Sequence, residues 1–213
     1  MIHQKVPFLE KSKLIASSIK KQMPDQIRCA WCSNDTLYQD YHDTEWGKEM
    51  HDDRSLFELL SLEGFQSGLS WITILRKRTH FRTQFENFDY TKLAHWTEEK
   101  QNEALLNPNI IRNRLKIQSV KTNAIAFMKI QEKFGSFDRY IWEFVDFNPI
   151  LNHFHSLKDL PVSTEISENM SKSLKKHGFR FVGPTICYSF MQASGMTIDH
   201  TLDCFCHPKN NHE

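Results

Sequence analysis

Between Asp53 and Trp71 a helical pattern carries an acid on its apolar side. Asp53 or Ser55 suits the N-cap, and the stripe that follows is Leu56, Leu59 and Leu60. Glu63 lies seven, four and three residues beyond these leucines, so it shares their face of the helix. Whatever packs over this helix must bury a carboxyl, which is costly unless something pairs with it or uses it. An inward Glu on its own is commonly a structural hydrogen-bonder. Here Gly64 and Gly68 are expected to interrupt the helix, Trp71 follows within eight residues of the acid, and further aromatics lie upstream. That company favours a carboxyl with a chemical task.

The remaining pattern is also helical. Residues 29–46 place Tyr38, Tyr41, His42 and Glu45 at helical spacing, with almost no aliphatic residue among them. Such a segment makes a poor core element and a good pocket wall. Ser70 can cap a helix bearing Trp71, Ile74, Leu75, Phe81 and Phe85. Residues 97–130 read as helix, turn, helix, broken at Asn107-Pro108-Asn109. Phe137 to Val145 outlines another helix, and Ser167 to Lys176 one more, stopped by Gly178. Pro184 suits the first position of a last helix that ends by Gly195. Strand alternation and Gly-rich phosphate loops do not occur. The expected fold is all-α, one body of two helical lobes over residues 28–208. Residues 1–27 form a basic extension, with a weak helical pattern between Lys11 and Gln22, and 209–213 a tail.

Charge narrows the function classes. The whole chain carries only +1, but residues 1–28 hold six basic and two acidic side chains, leaving −3 for the rest. Affinity for a polyanion must therefore come from local patches or from the N-terminal arm. No apolar run approaches the ~20 residues of a membrane span, and no secretory apolar segment opens the chain. The expected setting is the cytoplasm, with the 5 Cys free of structural disulfides.

Two Cys/His pairs stand near the ends of the body. Twelve residues lie between Cys29 and His42, and three between His200 and Cys204, a spacing that puts the second pair on one face of a helical turn. Cys2His2 is a ligand set of structural zinc. Cys32, Cys206 and His207 compete as ligands, and ordinary buried thiols are the alternative. The sequence motifs of catalytic zinc sites are missing, so any zinc is expected to be structural.

Taken in order, Arg28-Cys29-Ala30-Trp31, Tyr38 to Gly47, Leu62 to Trp71, Ile110 to Arg114, Gly178 to Ala193 and Asp199-His200 with Cys204 resemble the bacterial 3-methyladenine DNA glycosylase I family. The resemblance covers nearly all of residues 27–208. It implies a helix-hairpin-helix glycosylase fold and one zinc on Cys29, His42, His200 and Cys204. It also implies a base pocket of Trp31, Tyr38, Tyr41, Trp46, Glu63 and Trp71. The segment from Ile110 to Lys116 would be the hairpin that grips a DNA phosphate, with Arg112, Arg114 and Lys116 as charge support. Leu115 stands where a Gly is expected, and Ser194 and Phe205 replace Cys found in some relatives.

The implied reaction is hydrolysis of the N-glycosidic bond of 3-methyladenine in duplex DNA, leaving an abasic site. N3-methylation makes the base a cation, so the bond is already weak, and the enzyme must chiefly extrude and recognise the base. Trp and Tyr faces attract a cation, and an ionised Glu63 would add a charge-assisted hydrogen bond. Glu63 is thus expected to recognise first and to help the oxocarbenium-like sugar second. Gly68-Leu69 is expected to wedge into the duplex. No Lys falls in the pocket, so a monomeric, monofunctional glycosylase without lyase activity is expected. A zinc-dependent hydrolase of another small substrate and a non-catalytic DNA-damage binder are the alternatives.

Overall fold

A computed structural model describes residues 26–210 of the chain. The helix expected between Lys11 and Gln22 lies outside these residues. Among the described residues the α-helices are, in order, α1 (Thr36–Thr44), α2 (Asp53–Gln66), α3 (Trp71–Gln84), α4 (Tyr90–Leu93), α5 (Glu98–Leu106), α6 (Arg114–Phe134), α7 (Phe137–Trp142), α8 (Glu165–Lys176) and α9 (Pro184–Ala193). Short 3-10 turns link several of them. The fold is all-α, apart from a parallel pair of two-residue strands, β1 (Ile150–Leu151) and β2 (Thr197–Ile198). Two residues are too few to show an alternating pattern in sequence, which is why the pair was not expected.

Helix α2 is the central element, packed against α3, α6, α7 and α9. Every residue from Leu59 to Phe65 is buried, so the helix is covered all round and not only on its leucine stripe. Its N-cap is Asp52, not Asp53 or Ser55: the Asp52 carboxylate accepts from Ser55 N at 2.8 Å and from Ser55 Oγ at 2.7 Å. Asp53 is turned instead to α7, where it accepts from Phe137 N (3.0 Å), Asp138 N (2.7 Å) and Gln131 Nε2 (2.6 Å). One carboxylate thus caps the first turn of α7 and ties it to α6 and α2.

Gly64 does not interrupt α2, contrary to expectation. A Cβ there would stand 3.3 Å from Phe181 Cβ, so the glycine permits close approach of the α8–α9 loop. The helix stops two residues later, and Gly68 turns the chain at φ +80. Helices α5 and α6 with residues 107–113 form the expected hairpin. Thr97 caps α5, and the Asn113 side chain caps α6 by accepting from Lys116 N at 3.1 Å. Leu115 points outward from the first turn of α6, 64% exposed, so it leaves the hairpin backbone undisturbed. The early and late parts of the body meet where Met50 N donates to Ser194 O at 3.1 Å. Gly195 crosses there so closely that a Cβ would stand 2.5 Å from the backbone of Lys48 and Glu49.

Replacing Asp53 with Ala leaves two N–H groups of α7 without their acceptor. The expected cost is about 2 kcal/mol, read as a lower urea midpoint at unchanged slope, and Asp53→Asn should lose less.

Candidate active site and metal cluster

The α2–α3 region and α1 close on a cavity of about 140 Å³ lined by Trp31, Tyr38, Tyr41, Trp46, Glu63, Gln66, Trp71, Leu160, Ser189 and Gln192. This is well below the ~300–1,000 Å³ of pockets that hold drug-sized ligands, and it suits one flat ring system. All six pocket residues anticipated from the sequence come together. Trp31 lies 4.9 Å from Tyr38 and 5.0 Å from Trp46 between ring centroids, and Tyr41 lies 5.5 Å from Trp71. The walls are therefore continuous aromatic surface.

The polar groups of the pocket are unusual. Glu63 is 2% exposed, and its Oε2 has no hydrogen-bond partner, nor has Trp71 Nε1. Burial alone pushes the Glu63 carboxyl up to about 8. The ionised Glu63 expected from the sequence is the state with a cation against it. Near neutral pH the carboxyl is largely protonated unless a positive charge lies against it. Tyr38 is pushed up to about 12, and Tyr41 well above the usual phenol range, in both cases chiefly by burial. Both therefore present neutral hydroxyls. Gln66, Leu160, Ser189 and Gln192 were not anticipated. Ser189 and Gln192 could have been found, since they are polar residues three apart in the largely apolar α9. The amide of Gln192 is oriented by Asp199, which accepts its Nε2 at 2.8 Å together with Tyr188 OH, Asn152 Nδ2 and Thr197 Oγ1.

Directly behind the aromatic wall lies the Cys/His cluster. Donor atoms of Cys29, His42, His200 and Cys204 lie within 4.8 Å of one another, and all four residues are buried. Cys204 Sγ is 3.4 Å from His42 Nε2 and 3.5 Å from His200 Nδ1, and Cys29 Sγ is 3.6 Å from His200 Nδ1. A tetrahedral ion with the usual Zn–S and Zn–N bond lengths requires S···N separations of roughly 3.5 Å. The residues thus fit a four-coordinate metal with no position left open. His42 Nδ1 is hydrogen-bonded to Asp43 at 2.8 Å, which directs Nε2 at the cluster, and Arg28 holds Asp43 in turn. His200 and Cys204 are not on a helix as their spacing suggested. They flank a turn closed by Cys204 N donating to Thr201 O at 2.8 Å. The cluster supports the pocket directly: the His200 ring meets Trp46 edge-on at 4.6 Å, and His42 lies 5.2 Å from Trp31.

The residues expected to meet DNA divide. Leu69 is 43% exposed at the α2–α3 turn, and Gly68 has open space where a Cβ would lie. Arg112 and Arg114 are exposed on the hairpin, with Arg114 Nη1 donating to Asn102 Oδ1 at 3.0 Å. Lys116 is not with them. It is 7% exposed, and its Nζ donates to Phe65 O (2.8 Å) and Ser67 O (2.6 Å). At the third position of α6 its side chain runs inward beneath the hairpin, so it cannot be charge support for a phosphate.

Residues 31–207 match the family model described as methyladenine glycosylase. The chain belongs to that family. It is 46% identical over 183 residues to DNA-3-methyladenine glycosylase 1 of Escherichia coli strain K12, covering 86% of this chain and 98% of the relative. A crystal structure of a 3-methyladenine DNA glycosylase I superposes with a TM-score of 0.84 at 49% identity, over 85% of this chain and all of that one. Another, of a variant in complex with 3-methyladenine, gives 0.83 at 34% identity, over 86% of this chain and 99% of that one. In this methyladenine glycosylase, no helix among the described residues is long and apolar enough to cross a membrane.

The raised Glu63 carboxyl makes stability fall with pH. The native state holds a proton that the unfolded chain releases near pH 4.3, so stability is lost progressively from there to about pH 8. Glu63→Gln removes the effect. Its melting temperature relative to the parent should rise between pH 5 and pH 8 by roughly 5 °C or more and level off above. A constant difference across that range would show that Glu63 titrates normally.

Proposed function

We propose that the chain excises 3-methyladenine from alkylated DNA by hydrolysing the N-glycosidic bond, and that Glu63 with Trp31, Tyr38, Tyr41, Trp46 and Trp71 forms the base pocket. The observation that carries this reading is the unpaired, buried Glu63 on the wall of an aromatic cavity of single-base size, in a chain whose relatives are named for that activity.

Glu63 and the aromatic walls act on charge. A flipped N3-methylated adenine enters as a cation and is attracted by each π face by ~0.5–2 kcal/mol. Against that cation Glu63 gives up its proton, and the resulting carboxylate hydrogen-bonds the base. Trp71 Nε1 and the tyrosine hydroxyls supply further donors. On cleavage the bonding pair stays with the base, which leaves neutral. The sugar becomes an oxocarbenium ion, and water adds to its C1′ and loses a proton. Among the described residues no lysine lines the pocket, and the Lys116 ammonium at the end of α2 is engaged by main-chain carbonyls. No imine to the sugar is then formed, and the product is an intact abasic strand.

The finer assignments belong to the same reading. Leu69, carried by Gly68, fills the space left by the flipped base. Arg112 and Arg114 flank the hairpin N–H groups on the phosphates. Cys29, His42, His200 and Cys204 would hold one Zn2+, which would fix the ends of the glycosylase body, residues 28–208. The protein works as a cytoplasmic monomer.

Incubation with methylated duplex DNA should release free 3-methyladenine and leave strands that break only on alkaline treatment. Strand breakage without alkali would refute the monofunctional reading. Glu63→Gln should fold but lose excision by roughly 10²-fold or more, and full activity of this variant would overturn the role of Glu63. Chelation distinguishes a structural metal from a catalytic one. Activity should decay with the loss of helical circular dichroism, whereas instant loss with the fold intact would mean catalysis on the ion.

A further inference from the structure

The sequence suggested that Lys116 meets DNA, yet the structure buries it, and no carboxylate balances its charge within ion-pair distance among the described residues. Burying an ammonium costs several kcal/mol unless its N–H groups are well used. Here they are used on one short stretch. Phe65 O and Ser67 O belong to the last turn of α2 and its C-cap, where helical carbonyls lack partners within the helix and the helix dipole favours a cation. Burial lowers the Lys116 pKa, in keeping with an ammonium held by carbonyls alone.

The loop that begins at these carbonyls has little else to hold it. Gly68 has no heavy atom within 4 Å of its Cβ position, and Leu69 projects into solvent, anchored at its own N–H to Gln66 O at 2.6 Å. Lys116 is fixed at its other end by the hairpin, since Asn113 Oδ1 accepts its backbone N–H. One residue therefore joins the cap of the hairpin helix to the root of the Gly68-Leu69 turn, across 49 residues of sequence.

We propose that Lys116 is a positioning residue for base extrusion: it holds the Gly68-Leu69 turn in register with the hairpin, so that phosphates bound at residues 110–113 set the depth at which Leu69 enters the duplex. The proposal rests on the reading of Leu69 as a wedge. Lys116 contacts neither base nor phosphate, and its effect passes through the α2 terminus.

The test uses the full chain, duplex DNA with a single 3-methyladenine, and the variants Lys116→Met, Leu69→Ala and their double. Lys116→Met keeps the apolar stem and deletes the ammonium. Its single-turnover excision rate should fall at least roughly tenfold, while affinity for free 3-methyladenine, followed by tryptophan fluorescence, stays within about twofold. The slope of log affinity for duplex against log salt should be unchanged, because a lost phosphate contact would reduce it by about 0.9. The double variant should excise no more slowly than Leu69→Ala, within about twofold. Parental rate in Lys116→Met beside a slow Leu69→Ala overturns the latch alone. A reduced salt slope, or independent multiplying losses in the double, overturns it as well. A parental rate in Leu69→Ala removes the wedge and the latch with it. Should Lys116→Met not fold, Lys116→Leu, which also lacks the donor, takes its place in each comparison.

Discussion

A carboxyl group held in a protein interior without a hydrogen-bond partner is unfavourable, and much of this structure is arranged around keeping Glu63 in that condition. Helix α2 is buried on all sides, so Glu63 cannot turn to solvent. The walls that face it are rings whose own polar atoms are few: Tyr38 and Tyr41 remain neutral, and Trp71 Nε1 is itself unpaired. An ordinary core would have closed over such a group or supplied an arginine. Arg78 lines a different cavity, on the other side of Tyr41 and Trp71, where its guanidinium donates to Glu45 at 2.7 Å.

The walls need support, because aromatic side chains around a cavity lack close packing on one side. It comes from the Cys/His cluster. Trp46 and Trp31 lean on the imidazoles of His200 and His42, and each imidazole is held by a Cys sulfur. The cluster joins residues 171 apart in sequence, and Arg28 and Asp43 brace it from outside. Asp199, one residue before His200, gathers Tyr188, Gln192, Asn152 and Thr197, which locks the α9 side of the pocket to the same segment. Cluster and pocket thus share one packed boundary, with each imidazole in contact with a tryptophan of the pocket wall.

What could be read from sequence follows from what is local. The inward direction of Glu63 follows from its three- and four-residue spacing to Leu60 and Leu59, and the helical hairpin from its periodicity and Asn-Pro-Asn break. Cap identity is not decided locally, because Asp52, Asp53 and Ser55 are chemically equivalent N-caps. Only the position of α7 decides that Asp53 serves another helix. Gly64 looked like a breaker because its reason, the approach of Phe181, lies 117 residues away. Lys116 looked like its basic neighbours, and only its place at the third position of α6, over the end of α2, turns it inward. Spacing alone left the four-ligand cluster open against ordinary thiols, and the resemblance assigned it. Its S···N separations add what spacing cannot, a fit to a tetrahedral ion.

On the proposed reading of Glu63 as the residue that recognises the base, a carboxyl pushed up to about 8 by burial suits selection better than a permanently ionised one would. With an uncharged adenine in the pocket, the carboxyl stays protonated, and the base gains nothing from charge. With a cationic base, proton release at pH 7 costs only about 1.4 kcal/mol for one unit of pKa. The ion pair would lie between aromatic walls and out of water, where opposite charges attract more strongly than in solvent. On that reading discrimination is carried by the proton. The normal base meets a neutral acid, the damaged base meets a carboxylate, and the difference arises inside the pocket from the charge that methylation adds.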